Sequence, residues 1–150
     1  MSKINGKLVL ALLAGMMTAG CAVHAGLYPV GGPSEQASGA IPSVKITGPF
    51  NSGNISVKLN DGEVCKGRWN RIAATSANAL APVWDTVYGQ GFYVAHVLGT
   101  SLYAQSVLTG NRGTTLTIEM YRRESGDPNH ITPLQGVAKD NHGNIYKLAY

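Results

Sequence analysis

Short runs of alternating apolar and polar residues, separated by turn signals, recur from residue 43 to the end of the chain. The run TTLTIEMY, residues 114–121, places Leu116, Ile118 and Met120 on one face and mostly polar residues on the other. This period of two is typical of an antiparallel strand with one buried face. Eight short runs predict a mainly β fold, a small antiparallel barrel or sandwich of about eight short strands with one short helix.

The predicted strands are joined by turns rich in glycine, asparagine and aspartate. Asn60-Asp61-Gly62 is a strong hairpin signal, because these residue types tolerate the positive φ of a tight turn. The last hairpin, around Asp140-Asn141-His142-Gly143, repeats the residue order of this earlier one, and shared hairpin chemistry explains the similarity sufficiently. The predicted strands are residues 43–47, 54–59, 63–69, 92–98, 102–109, 114–121, 134–139 and 144–150.

A different pattern separates the third and fourth predicted strands. Val83 and Val87 are spaced to form one apolar stripe, and Pro82 favours the first turn of a helix. We predict one short helix here, ended by the glycines that follow it. The next run, FYVAHVL at residues 92–98, is predicted to be a strand that carries His96.

The first twenty residues have the layout of a secretory signal peptide. Lys3 and Lys7 are followed by an uncharged, largely apolar run from Leu8 to Met17. This run is about half of the roughly 20 apolar residues that a membrane-spanning helix needs. We therefore expect residues 1–20 to be a signal peptide, and we expect no permanent transmembrane helix.

The signal ends in Thr18-Ala19-Gly20-Cys21, which resembles the lipobox of bacterial lipoproteins, with Thr18 standing where leucine is usual. The resemblance implies that Cys21 is the first mature residue and carries acyl chains such as palmitate. Two acyl chains give stable membrane anchoring where one gives only marginal binding. Because Ala22 follows the cysteine where an aspartate would retain the protein at the inner membrane, the resemblance implies an outer-membrane lipoprotein that faces the periplasm.

A second cleavage site competes with the lipobox. Val23-His24-Ala25 has the small-x-small pattern of ordinary signal peptidase sites, and cleavage there would release a soluble protein that begins at Gly26. The residues up to Pro42 are rich in Gly, Pro, Ser and Ala, a composition that buries little surface. We predict a flexible tether over residues 21–42 and a β-rich domain over residues 43–150.

Charge and cysteine content restrict the partners of this chain. The formal net charge of +4 falls to +2 without Lys3 and Lys7, which is too small an excess to predict a nucleic-acid partner. Cys65 has no partner for a disulfide once Cys21 is acylated or removed. We expect Cys65 to be a buried, unreactive thiol on a strand.

No pattern of residues predicts a metal or cofactor site. The four histidines show no metal-site spacing, and HExxH, CxxC, nucleophile-elbow and phosphate-loop motifs are absent, so we expect no enzyme. The candidate binding residues are Trp84 and Asp85, which would line a cleft if the helix covered a barrel, and His96. The ordinary alternative for each of these residues is a structural role.

We expect an envelope lipoprotein with a binding or structural accessory role in the periplasm, with the membrane and an envelope protein as partners. One alternative resembles the small lipoprotein inhibitors of lysozyme and would present the loop RRESGDPNHITP, residues 122–133, to an enzyme. Another is an envelope hydrolase that uses His96 or Asp85. A third is a small outer-membrane barrel, because Tyr146 and Tyr150 alternate with an apolar residue at the C-terminus.

Overall fold

The computed structural model describes residues 22–36, 39–48, 51–75, 78–100, 103–122 and 134–150. Eight antiparallel strands form a closed barrel in which each strand pairs with its neighbours in the chain and β8 pairs with β1. The strands are β1 (Ala22–Gly31), β2 (Ser43–Thr47), β3 (Ser52–Lys58), β4 (Val64–Arg71), β5 (Ala104–Gly110), β6 (Thr115–Arg122), β7 (Leu134–Asp140) and β8 (Ile145–Ala149). The predicted mainly β, antiparallel fold is confirmed, and its architecture is a barrel.

The barrel interior is filled by inward-facing side chains from all eight strands. Leu116, Ile118 and Met120 are buried there, as their alternation in the sequence predicts. An eight-stranded barrel is just wide enough for side chains to fill it. Each fully buried aliphatic side chain stabilises the fold by about 1.5–3 kcal/mol relative to an exposed one. The interior is therefore the main hydrophobic core of the protein.

The predicted tether is wrong for its first half, because Ala22–Gly31 is strand β1. This strand closes the barrel: its first part pairs with β2 and its second part pairs with β8. Leu27 is fully buried in the interior. Small residues and Pro29 made the segment look mobile, yet a strand that pairs on both sides gains its stability from partners far away in the sequence. The folded domain thus includes Ala22–Gly31 and does not begin at Ser43.

A helical insertion connects β4 to β5 and packs on the outer surface of the barrel. It contains α1 (Ala81–Tyr88) and a short π-helical segment (Tyr93–Val97). The predicted short helix is confirmed, with Pro82 in its first turn and the chain leaving the helix at Gly89. Within the described residues, no helix is long and apolar enough to span a membrane.

The predicted strand over residues 92–98 is wrong, since this run is helical. Tyr93 and Val97 are buried four residues apart, while His96 is exposed, which is a helical pattern of burial. The amide of Leu98 donates to the carbonyl of Tyr93 at 2.9 Å. A short, continuous apolar run cannot be assigned to strand or helix by periodicity alone. The predicted number of eight strands is still correct, because the unpredicted strand β1 replaces the predicted strand over residues 92–98.

A second hydrophobic cluster holds the insertion on the barrel wall. Trp84, from α1, is fully buried in this cluster with the outward-facing Tyr121 of β6 and Val137 of β7. Part of the outer face of β6 and β7 is therefore covered by protein, and the outward-facing side chains of Glu119, Tyr121 and Val137 are buried. This explains why β7 does not show a clean alternation of burial.

The barrel has two distinct ends. The turns between β3 and β4, β5 and β6, and β7 and β8 lie at one end with the β1–β2 connection, and we call this the turn end. At the other end, β1 begins, β2 ends, β3 begins, β4 ends and β6 ends. We call it the N-terminal rim; its residues include Ala22, Gly48, Asn51, Arg71, Ile72 and Arg122.

Candidate functional site

A cleft of about 430 Å³ opens at the turn end of the barrel. Ligand sites in proteins commonly have volumes of roughly 300–1,000 Å³ and often occupy the mouths of β-barrels. The residues that line this cleft are Pro29, Ser34, Pro42, Leu59, Asn60, Asp61, Glu63, Arg112, Thr114, Asp140, His142, Asn144 and Tyr146. The cleft combines carboxylates, hydroxyl groups and a few apolar side chains.

Three hairpin turns with one common sequence pattern build the cleft wall. Each has an asparagine, a variable residue and a glycine, in the order Asn60-Asp61-Gly62, Asn111-Arg112-Gly113 and Asn141-His142-Gly143. The three glycines have φ values of +85°, +100° and +85°, a region that L residues rarely adopt. Each turn is closed by a backbone hydrogen bond: Leu59 to Glu63, Gly110 to Thr114, and Asp140 to Asn144.

The asparagine of one turn binds the backbone of the preceding hairpin. Asn111 Oδ1 accepts a hydrogen bond from the amide of Val64 at 3.1 Å. Asn141 Oδ1 accepts one from the amide of Thr115 at 3.0 Å. The similarity between the first and last hairpins therefore extends to the middle one. The common Asn-X-Gly spacing was the sequence signal for this three-fold similarity. The asparagine contacts position neighbouring turns around the cleft.

Glu63 is buried and stabilises the middle turn. Its Oε1 accepts hydrogen bonds from the amides of Arg112 at 2.8 Å and Thr114 at 3.1 Å. Its Oε2 accepts from the Thr114 hydroxyl at 2.6 Å. A Cβ atom at Gly110 would collide with the Glu63 carboxylate, so glycine is required there to admit it. The Glu63 carboxylate, which belongs to the first hairpin, thus accepts the hydrogen bonds that the turn of the second hairpin donates.

Asp140 stabilises the third turn by accepting hydrogen bonds from its backbone amides, as Glu63 does in the second turn. Its Oδ1 accepts from the amides of His142 and Asn144, both at 2.9 Å. Its Oδ2 accepts from the Asn144 side-chain amide at 2.7 Å and from the Tyr146 hydroxyl at 3.2 Å. Both buried carboxylates are held in place by the turns that they stabilise, so the cleft is rigidly organised.

The electrostatics of the cleft follow from these hydrogen bonds. The Thr114 hydroxyl and the turn amides lower the pKa of Glu63 below its ordinary value of 4.5, against the opposing effect of desolvation. Burial raises the pKa of Tyr146. Glu63 therefore carries a negative charge at neutral pH, and Tyr146 remains a hydroxyl donor.

Cys65 lies below the cleft, inside the barrel, and confirms the prediction of a buried strand thiol. It is fully buried, and it is a free cysteine. Burial, assisted by the negative charges of Glu63 and Asp61, raises the pKa of its thiol to about 11. Since the thiolate is the reactive form, this cysteine is chemically inert in the folded protein.

The outer edge of the cleft is more exposed. Arg112 and Asp61 form an ion pair of 2.9 Å across two turns, with both side chains more than half exposed. His142 is also exposed at this edge. Because three carboxylates and one arginine line the cleft, its formal charge is negative. The arrangement suits a polar ligand that offers N–H or O–H donors.

The candidate binding residues chosen from the sequence lie in the insertion, away from this cleft. Trp84 Nε1 donates to Glu119 Oε2 at 2.8 Å, in the buried layer between helix and barrel. Asp85 Oδ1 accepts from the amide of Tyr93 at 2.9 Å. The exposed His96 ring lies 4.7 Å from the ring of Phe92. Within the described residues no hydrogen bond joins Asp85 to His96, so a role for these residues in binding stays a prediction.

Glu119 is the residue that sequence reasoning missed in this region. It is fully buried under the insertion, where it also accepts from Asn78 Nδ2 at 3.0 Å and Gln105 Nε2 at 3.1 Å. Nearby, burial raises the pKa of Tyr103. On an alternating strand, Glu119 had the position of a solvent-facing residue. Only the unusual apolar Tyr121 on the same face indicated that this face is covered.

Two further predictions concern the loop over residues 122–133 and the binding of metal ions. Residues 123–133, nearly all of the loop predicted for an inhibitor, lie outside the described residues. Within the described part of the chain, no group of three or more His, Cys, Asp or Glu side chains is positioned to hold a metal ion. Among the residues that the structure describes, the polar groups of the cleft are well-organised candidates for ligand contacts.

Comparison of the chain with protein-family models, with curated proteins and with solved structures finds no match. The function must therefore be argued from the geometry of this protein. The two structural features that bear on function are the position of Ala22 in β1 and the cleft at the opposite end of the barrel.

Proposed function

We propose that the protein is a cell-envelope lipoprotein, anchored through Cys21 in the periplasmic leaflet of the outer membrane, that binds a polar ligand or partner in the turn-end cleft. The observation that carries this proposal is that Ala22 already belongs to strand β1, where it pairs with Thr47 of β2. The residue that follows the lipobox cysteine is already part of the barrel. Cleavage before Cys21 would therefore keep every strand complete.

Cleavage at the competing site would damage the barrel. It would remove residues 22–25, which provide four of the five residue pairs between β1 and β2. Val23 and Ala25 pack against the barrel interior and would be lost with them. The edge of β2 would then be unpaired over most of its length, and unpaired edges promote aggregation. The integrity of β1 and β2 therefore favours Cys21 over Gly26 as the first mature residue.

Binding at the turn end is consistent with this anchor. The cleft lies at the end of the barrel opposite to Ala22, so a membrane anchor would leave it open to the periplasm. Its rim residues Arg112 and His142 are exposed, and its floor is fixed by the bonds of Glu63 and Asp140. A rigid, negatively charged cleft with an accessible edge binds polar ligands at low entropic cost.

The intact mass of the protein extracted from membranes of a Gram-negative host tests the anchor. The expected species begins at Cys21 and carries the mass of its acyl chains. The Cys21→Ala variant is the control, and it should lose the acyl mass and leave the membrane fraction. A native species that begins at Gly26 without added mass would overturn the proposal.

Site-specific crosslinking tests the cleft. A photoreactive amino acid is placed at His142, on the cleft edge, and in a control variant at Lys45, which is exposed on the barrel wall. We expect a discrete crosslinked envelope component from His142 in living cells and none from Lys45. Identical products from both positions, or none from either, would contradict binding in the cleft.

The described strands argue against an outer-membrane barrel. Outer-membrane barrels have a polar interior and an apolar outer band. Here the interior is apolar, and the outward faces of β2 to β4 carry exposed Lys45, Lys58, Lys66 and Arg68. The hydrolase alternative has less support as well, because the Asp85 carboxylate is engaged by the amide of Tyr93.

A further inference from the structure

We infer that the N-terminal rim of the barrel lies directly on the phospholipid headgroups, so that the barrel stands on the membrane with its cleft facing away. This inference rests on the proposed acylation of Cys21 and adds an orientation and an interaction surface. The partner that we propose for the rim is an anionic phospholipid surface.

The first argument is the length of chain between anchor and barrel. Ala22 is paired with Thr47 in the β1–β2 ladder. Successive Cα atoms are about 3.8 Å apart, so an acylated Cys21 would hold the rim within a few ångströms of the lipid. A lipoprotein with a long mobile tether could move away from the bilayer. This barrel has no such freedom, because Ala22, the residue next to the proposed anchor, is already paired in β1.

The second argument is the distribution of charge along the barrel. The exposed side chains of Arg71 and Arg122 lie at the rim. Within the described residues, the carboxylates of Glu35, Asp61, Glu63 and Asp140 all lie at the turn end, and Asp85 and Glu119 belong to the helical insertion and the wall beneath it. Basic groups near an anionic bilayer are attracted to it. Within the described residues, the rim thus carries two exposed basic side chains and no carboxylate, which suits an anionic partner surface.

The third argument is the apolar surface near the same end. Ile72, directly after β4, is 39% exposed, and Tyr150, directly after β8, is 73% exposed. Tyrosine is enriched at membrane interfaces because its ring and hydroxyl group suit the headgroup region. Ile72 and Tyr150 would lie at the headgroups if the rim touches lipid. The other exposed large apolar side chains of the described residues, such as Ile41 and Val107, lie elsewhere and do not support this contact.

Depth-dependent fluorescence quenching tests the orientation. Single cysteines for a fluorescent label are introduced as Asn51→Cys at the rim, Lys45→Cys on the wall and His142→Cys at the turn end. The buried thiol of Cys65 does not compete for the label. The purified acylated protein is placed in vesicles of phosphatidylethanolamine and phosphatidylglycerol, a fraction of which carries a nitroxide on the headgroup.

We expect strong quenching at position 51, weaker quenching at position 45 and almost none at position 142. Equal quenching at all three positions, or the strongest at position 142, would overturn the orientation. The mass of the same preparation is measured first. An unacylated mass overturns the proposed anchor and this inference with it, whereas an acylated protein with an unquenched rim overturns the inference alone.

A charge variant tests the headgroup contact. Arg122→Gln should lower the ratio of docked to undocked protein about fivefold in anionic vesicles, since one basic residue near such a surface has about this effect. Lys58→Gln removes the same charge near the turn end and should leave the ratio unchanged. Equal effects of the two variants would contradict a specific contact between rim and lipid.

Discussion

The strongest stability prediction concerns Glu119, the buried carboxyl group between the barrel and the helical insertion. Glu119→Ala removes the acceptor of Trp84 Nε1, Asn78 Nδ2 and Gln105 Nε2. A buried donor without an acceptor costs about 1–3 kcal/mol. Trp84 is fully buried, but Asn78 and Gln105 are partly exposed and can recover some hydration. We therefore expect a loss of about 3–5 kcal/mol in the free energy of unfolding.

Urea unfolding, followed by circular dichroism and tryptophan fluorescence, measures this loss. Glu119→Gln keeps one acceptor oxygen and should lose less, about 1–2 kcal/mol. Thr117→Ala, on the same outward face of β6, is the matched control and should change stability by at most about 0.5 kcal/mol. If Glu119→Ala loses less than about 1 kcal/mol, the hydrogen bonds to Glu119 do not hold the insertion in place and the reasoning is refuted.

Three further predictions concern the turn end. Gly110→Ala should destabilise the protein by about 2–4 kcal/mol in urea unfolding, since the new Cβ displaces the Glu63 carboxylate, whereas Gly31→Ala has room and should be nearly neutral. The pKa of Glu63 in the folded protein lies below 4.5, so its contribution to stability is present above pH 4.5 and is lost as the pH falls through the folded value. The urea midpoint of the Glu63→Gln variant should therefore depend less on pH in acid than the midpoint of the native protein. A thiol reagent should modify Cys65 at least about 100-fold more slowly in the folded than in the urea-unfolded protein, because raising the pKa from 9.0 to about 11 reduces the thiolate fraction by that factor, and equal rates would contradict its burial.

The sequence predicts much of the barrel because most of its strands carry local signals. The alternation of β6 and the glycine turns are properties of neighbouring residues, and they appear in the structure as predicted. Strand β1 has no such signal, since Gly26, Pro29 and Gly31 weaken its local preference for strand. It forms because β2 and β8 provide partners on both sides. Those partners are set by barrel closure, which no short window of sequence reveals.

The cleft was less predictable than the fold for the same reason. Glu63 and Thr114 are 51 residues apart, and the fit of the carboxylate depends on the missing side chain of Gly110. The sequence identified the turns as turns but did not indicate that they meet around one cavity. Similarly, the helical run after Gly91 was ambiguous, because its burial is determined by a barrel wall contributed by later strands.

The pairing of β1 with β8 also has a consequence for the order in which the chain can fold. The first strand of the domain must wait for the last one, which ends at Ala149, before the barrel can close. Such contacts between distant parts of a chain form slowly. A chain that emerges with its N-terminus first would therefore keep β1 without its partner β8 until residues 145–149 had emerged. The joint that seals the barrel is thus among the last that such a chain can form.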